Sequence, residues 1–327
     1  MVAVGAALAG VLVGPAALRP DRVIAALLDR LPLISIDSGL SERETAILFE
    51  LRLPRVVLGL LVGGVLSVSG GAYQGVFRNP LADPYLLGVA AGAGLGATLA
   101  IVTVGSGSVL VGVAAFLTAL AAVVAAYGLG AAAGGRRSGS TLILAGVAVA
   151  AFLTAAQTFI QQRNTDTIRE VYSWILGRLG TVGWREVGLL APYAAVSIVG
   201  VLLHRRLLDA LAVGEDEARS LGVRPERVRM VVVLAATLGT AGAVAVSGLI
   251  GFVGIIVPHI IRLLVGGSYR VILPLSVLGG GAFLVVADLI ARTVLSPAEV
   301  PIGVITAFVG APFFLLVLRT SQRGGGR

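Results

Sequence analysis

The chain has 327 residues, 57% of them hydrophobic and 13% charged, against roughly 45–50% and about 25% in an average soluble domain. A mean hydropathy of +0.98 excludes a water-soluble globule, which needs far more polar surface to cover its core. The formal charge is +8 and all 25 cations are Arg; with no Lys there is no P-loop and no Schiff-base lysine, and with no Cys there is no disulfide or thiolate chemistry.

A membrane span takes about 20 mostly apolar residues. The charge-poor runs are, in order, Met1–Leu18, Val56–Phe77, Tyr85–Val104, Val109–Ala133, Leu142–Ile160, Val187–Leu203, Val231–Pro258, Val271–Ala287 and Pro301–Leu318. Met1–Leu18 lacks the positive n-region of a signal peptide, its first cation being Arg19, and reads as a short first span. Val231–Pro258 is long for one span and short for two. Its Gly242, Gly248, Gly251 and Gly254 suggest two helices meeting at a Gly-rich turn, the second running on through Ile260 to Leu264. The expected fold is an all-α integral membrane protein of about ten transmembrane helices. It forms one transmembrane unit over residues 1–327, with an outer segment at 19–55 and an inner one at 204–229.

Loop cations orient the chain. One side holds 14 Arg against six acids and the other 11 Arg against ten, so positive-inside bias places both termini in the cytoplasm. The net charge that in a soluble protein would suggest nucleic acid is then the cytoplasmic face of a membrane protein, and no nucleic-acid partner is expected. Trp174 and Trp184 fall in one outer segment, as interfacial aromatics do. Gly64, Val68, Ser69 and Gly70 recur 178 positions later as Gly242, Val246, Ser247 and Gly248, which is either half-to-half duplication or chance likeness of two small-residue helices.

Several constellations stand out along the chain. Ser41-Glu42-Arg43-Glu44 has the form of a capping box and leads to Arg52 and Arg55, two guanidinium groups at a span mouth suited either to lipid phosphates or to carboxylates on a partner. Asn79-Pro80 and Asp83-Pro84 bracket an inner turn, with Asp83 placed to cap a helix that starts at Pro84. Ser138, Gly139, Ser140 and Thr141 make a second polar turn. Thr154, Gln157, Thr158 and Gln161 share one helix face; they serve either as interhelical hydrogen-bonding groups or as the lining of a wet path. Residues 204–229 read as two short helices, the second opening on Glu215, Asp216 and Glu217 and stopping at Gly222, a pattern that suits a partner surface. Asp288 and Arg292 are an i, i+4 pair near an outer end. Asp288 is either a proton carrier or half of a local salt bridge, with Arg292 free to present its head group outward. His204 and His259 lie 55 positions apart, so no metal centre is expected.

Together these segments resemble the permease subunit of ABC importers for iron–siderophores, haem and cobalamin. The likeness runs from about Arg52 to Leu318. It is carried by Arg52-Leu53-Pro54-Arg55, by Gln74 to Gly88 with Asn79-Pro80-Leu81-Ala82-Asp83-Pro84, by Gly251-Phe252-Val253-Gly254 through Val257-Pro258-His259, by Ala287-Asp288, and by Glu299-Val300-Pro301-Ile302-Gly303 through Gly310-Ala311-Pro312. The resemblance implies a type II ABC importer permease without an ATPase site or cofactor of its own. It would work as a dimer in the cytoplasmic membrane with two ATPase subunits, which carry ATP-Mg, and an extracytoplasmic binding protein.

The family's docking arginines match Arg52, Arg55 and Arg292. Its coupling helices match Leu208 to Leu221, so that Leu208, Leu211, Gly214, Glu215, Glu217, Ala218, Leu221 and Gly222 would meet the ATPase. Its cytoplasmic gate matches Ser138, Gly139, Ser140 and Thr141, with Asn79 and Leu81 near the inner mouth. Its pathway helix agrees with the Thr154, Gln157, Thr158 and Gln161 stripe. Arg178 departs from the family pattern and would meet either anionic groups of a ferric chelate or haem, or a lipid phosphate. Ferric siderophore is the expected cargo, with haem and cobalamin as alternatives. A proton-coupled secondary transporter using Asp288 is the competing reading; an intramembrane enzyme lacks a nucleophile–base or metal constellation.

Overall fold

The computed structural model describes residues 1–16, 18–30, 36–133, 139–180 and 183–324, with side chains to residue 315. Among the described residues there are helices and no strands. In chain order they are α1 (Val2–Leu12), α2 (Pro20–Asp29), α3 (Glu42–Ala46), α4 (Leu53–Phe77), α5 (Val89–Val104), α6 (Leu110–Ala132), α7 (Gly139–Arg163), α8 (Ile168–Ile175), α9 (Trp184–Leu203), α10 (Arg205–Val213), α11 (Glu215–Ser220), α12 (Pro225–Ser247), α13 (Val253–Val265), α14 (Tyr269–Thr293) and α15 (Ile302–Gly324). Six are long and apolar enough to cross a membrane, and α1, α5, α13 and the Ile302–Leu315 part of α15 are shorter apolar helices. These ten account for the nine apolar runs, eight with one helix each and one with two. The Val231–Pro258 run divides as its glycines suggest, α12 stopping at Ser247 and α13 starting at Val253.

The Ser41 capping box forms, Ser41 Oγ accepting from the Glu44 N–H (3.3 Å) and Glu44 Oε2 from the Ser41 N–H (2.9 Å). Helix α3 then passes through a π-turn at Ile47–Arg52 into α4. Small and apolar residues occupy every side of α4, and a helix of that kind belongs inside a bundle. It is buried over nearly its whole length among α9, α12, α13 and α14. Two close approaches require glycine: a Cβ on either Gly63 or Gly280 of α14 would fall on the other's carbonyl, and one on Gly70 would fall on the Gly254 carbonyl of α13. Backbone-to-backbone approach of this sort is what holds helices together where lipid removes the hydrophobic drive.

In the Gly64–Gly70 echo, Gly64, Val68 and Ser69 lie in α4 as Gly242, Val246 and Ser247 lie in α12, but Gly70 is mid-helix whereas Gly248 lies beyond the end of α12 at φ +70°. Two local readings are corrected. Asp83 does not cap a helix at Pro84; its Oδ1 accepts from the Tyr85 N–H (2.7 Å) in a turn, and α5 starts only at Val89. Trp174 is buried in the bundle instead of at an interface, while Trp184 is exposed and donates to the Phe49 carbonyl (2.8 Å).

The α12–α13 link is not a surface loop. Ser69 on α4 donates to the Ala236 carbonyl on α12 (3.2 Å), and Ser247 is eleven residues further along α12, about 16 Å by helical rise. Gly254 nevertheless lies against Gly70, next to Ser69. Gly248–Phe252 therefore runs back alongside α4 as extended chain. Non-helical backbone at membrane depth is tolerated only where protein buries it or it borders a cavity.

Candidate functional site

At the end of the bundle where α4 begins and α14 ends lies an ion cluster. The Arg55 guanidinium makes three contacts with Asp288 (2.8, 3.0 and 3.0 Å) and two with Glu299 (2.8 and 3.0 Å). Arg292, the neighbour the sequence offers Asp288, stands further off at 3.7 Å. Its guanidinium donates instead to the Gly10 carbonyl at the end of α1. Arg52 donates to the carbonyls of Val11 (3.0 Å), Leu12 (3.3 Å) and Ala16 (2.6 Å). A helix end leaves its last carbonyls without partners and carries negative dipole charge, so two cations there are favourable on both counts.

Both readings of that pair therefore change. Asp288 is chiefly bonded to Arg55, 233 positions away, and Arg292 is turned inward, 2% exposed, as is Arg52 at 4%. Of the three docking candidates only Arg55 shares an exposed partner, Glu299, whose side chain is 41% exposed. A cleft of about 130 Å³ borders this cluster, lined by Arg55, Arg178, Asp288 and Glu299 among others. Arg178 is exposed there, while its N–H fixes the end of α12 through the Ser247 carbonyl (2.8 Å).

At the opposite end, α10 and α11 are separated by Gly214 at φ +158° and closed by Gly222 at φ +78°. Leu208, Leu211 and Ala218 are buried, Leu208 reaching Gly75 of α4. Asp209, which the sequence did not single out, bonds the start of α14: its carboxylate accepts from the Tyr269 N–H (2.6 Å) and Ser268 Oγ (2.9 Å) and lies 3.4 Å from Arg270. Glu215 pairs with Arg229 (2.5 Å) and Arg219 (3.3 Å), and Arg219 also reaches Asp216 (2.8 Å) and Glu226 (2.9 Å). The Glu226 and Asp216 carboxylates hold the Arg219 guanidinium above its ordinary pKa. Leu221 remains 71% exposed, as does Val213 at 71%.

This surface opens on a cleft of about 720 Å³ whose lining includes Gly139 and Ser140 together with Gly214, Glu215 and Glu217. Two groups of residues far apart in the chain thus meet in one place. Thr141 is half-buried beside them; Asn79 is exposed and Leu81 half-buried, the Asn79 side chain accepting from the Leu81 N–H (2.9 Å). Ser138 lies outside the described residues.

The polar stripe of α7 is divided. Gln157 is buried against Gly94 of α5, Gln161 is half-buried, and Thr154 and Thr158 are exposed, with Thr158 Oγ1 bonding the Thr154 carbonyl (2.9 Å). Among the described residues no three His or carboxylates are grouped to hold a metal.

A membrane bundle with an extended α12–α13 link, an ion cluster at one end and a structured two-helix surface at the other has the form of a transport permease. The comparisons agree. Residues 2–320 match the FecCD transport family model, and the chain belongs to that family. It is 44% identical over 288 residues to the uncharacterized ABC transporter permease protein YvrB of Bacillus subtilis, covering 86% of this chain and 81% of that one. It is 43% identical over 286 residues to the cobalamin import system permease protein BtuC of Halobacterium salinarum, covering 87% and 76%. A solved structure described as the inward-facing conformation of a metal-chelate type ABC transporter superposes with a TM-score of 0.83 at 29% identity, covering 98% of this chain and 96% of the other.

Proposed function

We propose that the chain is the membrane-spanning subunit of an ATP-driven importer of metal chelates, with ferric siderophore as the first candidate cargo and haem and cobalamin as the others. The relative named for cobalamin import and the metal-chelate transporter structure share one cargo chemistry, a metal held by an organic chelator. The subunit pairs with a second copy in the cytoplasmic membrane, both termini inside. Two ATPase subunits bind ATP-Mg and take α10 and α11 into their clefts.

The observation that carries this reading is the inner surface. Helix α10 is anchored on α4 and α14 through Leu208 and Asp209, leaves Val213 and Leu221 exposed, and shares a cleft with Gly139 and Ser140. Movement of α10–α11 by an ATPase would bear directly on the spans and on the cleft. At the outer mouth, Arg55 would receive a binding protein's carboxylate once Glu299 is displaced; Arg52 and Arg292 would have to leave the α1 carbonyls first. Thr154 and Thr158 offer hydroxyl groups to the path, and Arg178 offers a cation to an anionic chelate.

Reconstituting the chain with an ATPase subunit and a binding protein tests the assignment. Deletion of Glu215–Leu221 should abolish ATP-coupled uptake while the chain still inserts. Undiminished coupled uptake would overturn it.

A further inference from the structure

Gly248–Phe252 crosses from the end of α12 to the depth of Gly70; the Gly248 N–H still closes α12 on the Val244 carbonyl (2.9 Å), and the chain beyond it is non-helical up to Val253, in surroundings where an unpaired peptide group is costly. Its ends are secured by neighbours: Ser247 O accepts from the Arg178 N–H (2.8 Å), and Phe252 O accepts from the Ile256 N–H (2.9 Å) as α13 begins. In the middle, a single side chain takes both polar groups of Ile250. The Tyr85 hydroxyl donates to the Ile250 carbonyl (3.0 Å) and accepts from the Ile250 N–H (3.2 Å).

Tyr85 is itself fixed from behind. Asp83 Oδ1 holds its N–H (2.7 Å), and Pro84 packs on Gly254, which in turn seats on Gly70. At the far end of the segment Phe252 is a non-glycine residue at φ +69°, its ring lying over Gly310 of α15. Left-handed backbone at a bulky residue is strained and persists only when its surroundings enforce it. The segment is therefore strained at one end and pinned at its centre by one hydroxyl. A phenyl ring would fill the same apolar space, so packing does not account for the hydroxyl. The turn that carries it is also the turn of Asn79 and Leu81, and it follows directly on Arg78, which lines the cleft beside α10 and α11.

We infer that Tyr85 is a positioning residue whose hydroxyl latches the extended Gly248–Phe252 wall in this conformation, and that its two hydrogen bonds open whenever that wall moves. The latch joins the 79–85 turn to the α12–α13 break, two parts of the bundle that share no helix. It depends on the fold and not on the cargo, so its failure would leave the transport reading standing.

The chain has no Cys, and a Cβ at half-exposed Gly251 meets no atom within 4 Å, so Gly251→Cys is a clean probe beside Ile250. In membrane vesicles holding the full-length chain, adding Tyr85→Phe should raise the N-ethylmaleimide labelling rate at that probe about tenfold, as expected for losing two hydrogen bonds of ordinary net strength. Tyr127→Phe is the control, because the buried Tyr127 hydroxyl has no hydrogen-bond partner among the described residues, and it should leave the rate within about twofold. A Tyr85→Phe rate within about twofold of the parent, or an equal rise in both variants, overturns the latch. If Tyr85→Phe does not insert, hydrogen exchange in the unaltered chain decides. The Ile250 amide should exchange about tenfold more slowly than the Gly251 amide, and equal rates overturn the inference.

Discussion

The most informative perturbation is Asp288→Asn, because it separates the structural from the proton-carrying reading of that acid. The Asp288 and Arg55 side chains are 4% and 12% exposed and meet at 2.8 Å. Removing one partner of such a buried pair leaves an uncompensated charge and costs about 3–5 kcal/mol. Asn keeps the shape and one acceptor, and Arg55 retains partly exposed Glu299, which contributes about 1 kcal/mol or less after solvent screening; the lower end, about 3 kcal/mol, is expected. Arg55→Met should cost about as much, since among the described residues Asp288 then has only Arg292, at 3.7 Å. The double variant removes both charges, so a double-mutant cycle read by denaturation in mixed micelles should show a coupling of about 2–3 kcal/mol. Additivity within about 0.5 kcal/mol would refute the pairing. A proton carrier behaves differently: Asp288→Asn would abolish uptake while leaving stability intact, and uptake by this chain alone would respond to uncouplers.

The remaining predictions use the same stability assay. Gly70→Ala should cost about 3 kcal/mol, since its Cβ meets the Gly254 backbone and no side chain can turn aside, whereas Gly5→Ala, with nothing within 4 Å, should be neutral or slightly stabilising. Asp209→Ala should cost about 1–2 kcal/mol by uncapping α14, with most of the loss recovered in Asp209→Asn, which can still accept from Tyr269; equal losses would place the effect in the charge facing Arg270 instead. Burial pushes the Asp83 carboxyl up to about 6 from 3.8. The folded state then holds its proton where the unfolded chain has lost it, so stability should fall as pH rises through that interval, and Asp83→Asn should remove the slope.

The ten apolar helices were legible in the sequence because lipid admits only backbone that bonds within itself, which forces long charge-free runs between polar turns. The Gly-rich break in Val231–Pro258, the Ser41 capping box and the two short helices α10 and α11 were legible for the same reason: each is a rule about neighbours in the chain. What the sequence concealed is pairing at a distance. An acid at position 288 shows only Arg292 as a partner one turn away, but the bundle brings Arg55 closer and turns Arg292 to the end of α1. A stripe at 154, 157, 158 and 161 shows a face and not its neighbour, and Gly94 decides that Gln157 is buried.

Distance pairing also sets how the two ends communicate. Helix α14 receives Asp209 at its first residue and holds Asp288 and Arg292 in its last turns. At 25 residues it is about 37 Å long. Its one internal proline, Pro274, stands in the second turn, so Leu275–Thr293 continues uninterrupted. A displacement of α10 against the start of α14 therefore either bends the helix at Pro274 or is carried to the Arg55–Asp288 pair. Asp209 and Asp288 are thus two ends of one element, and coupling between them should exceed that of either with Gln157 on α7.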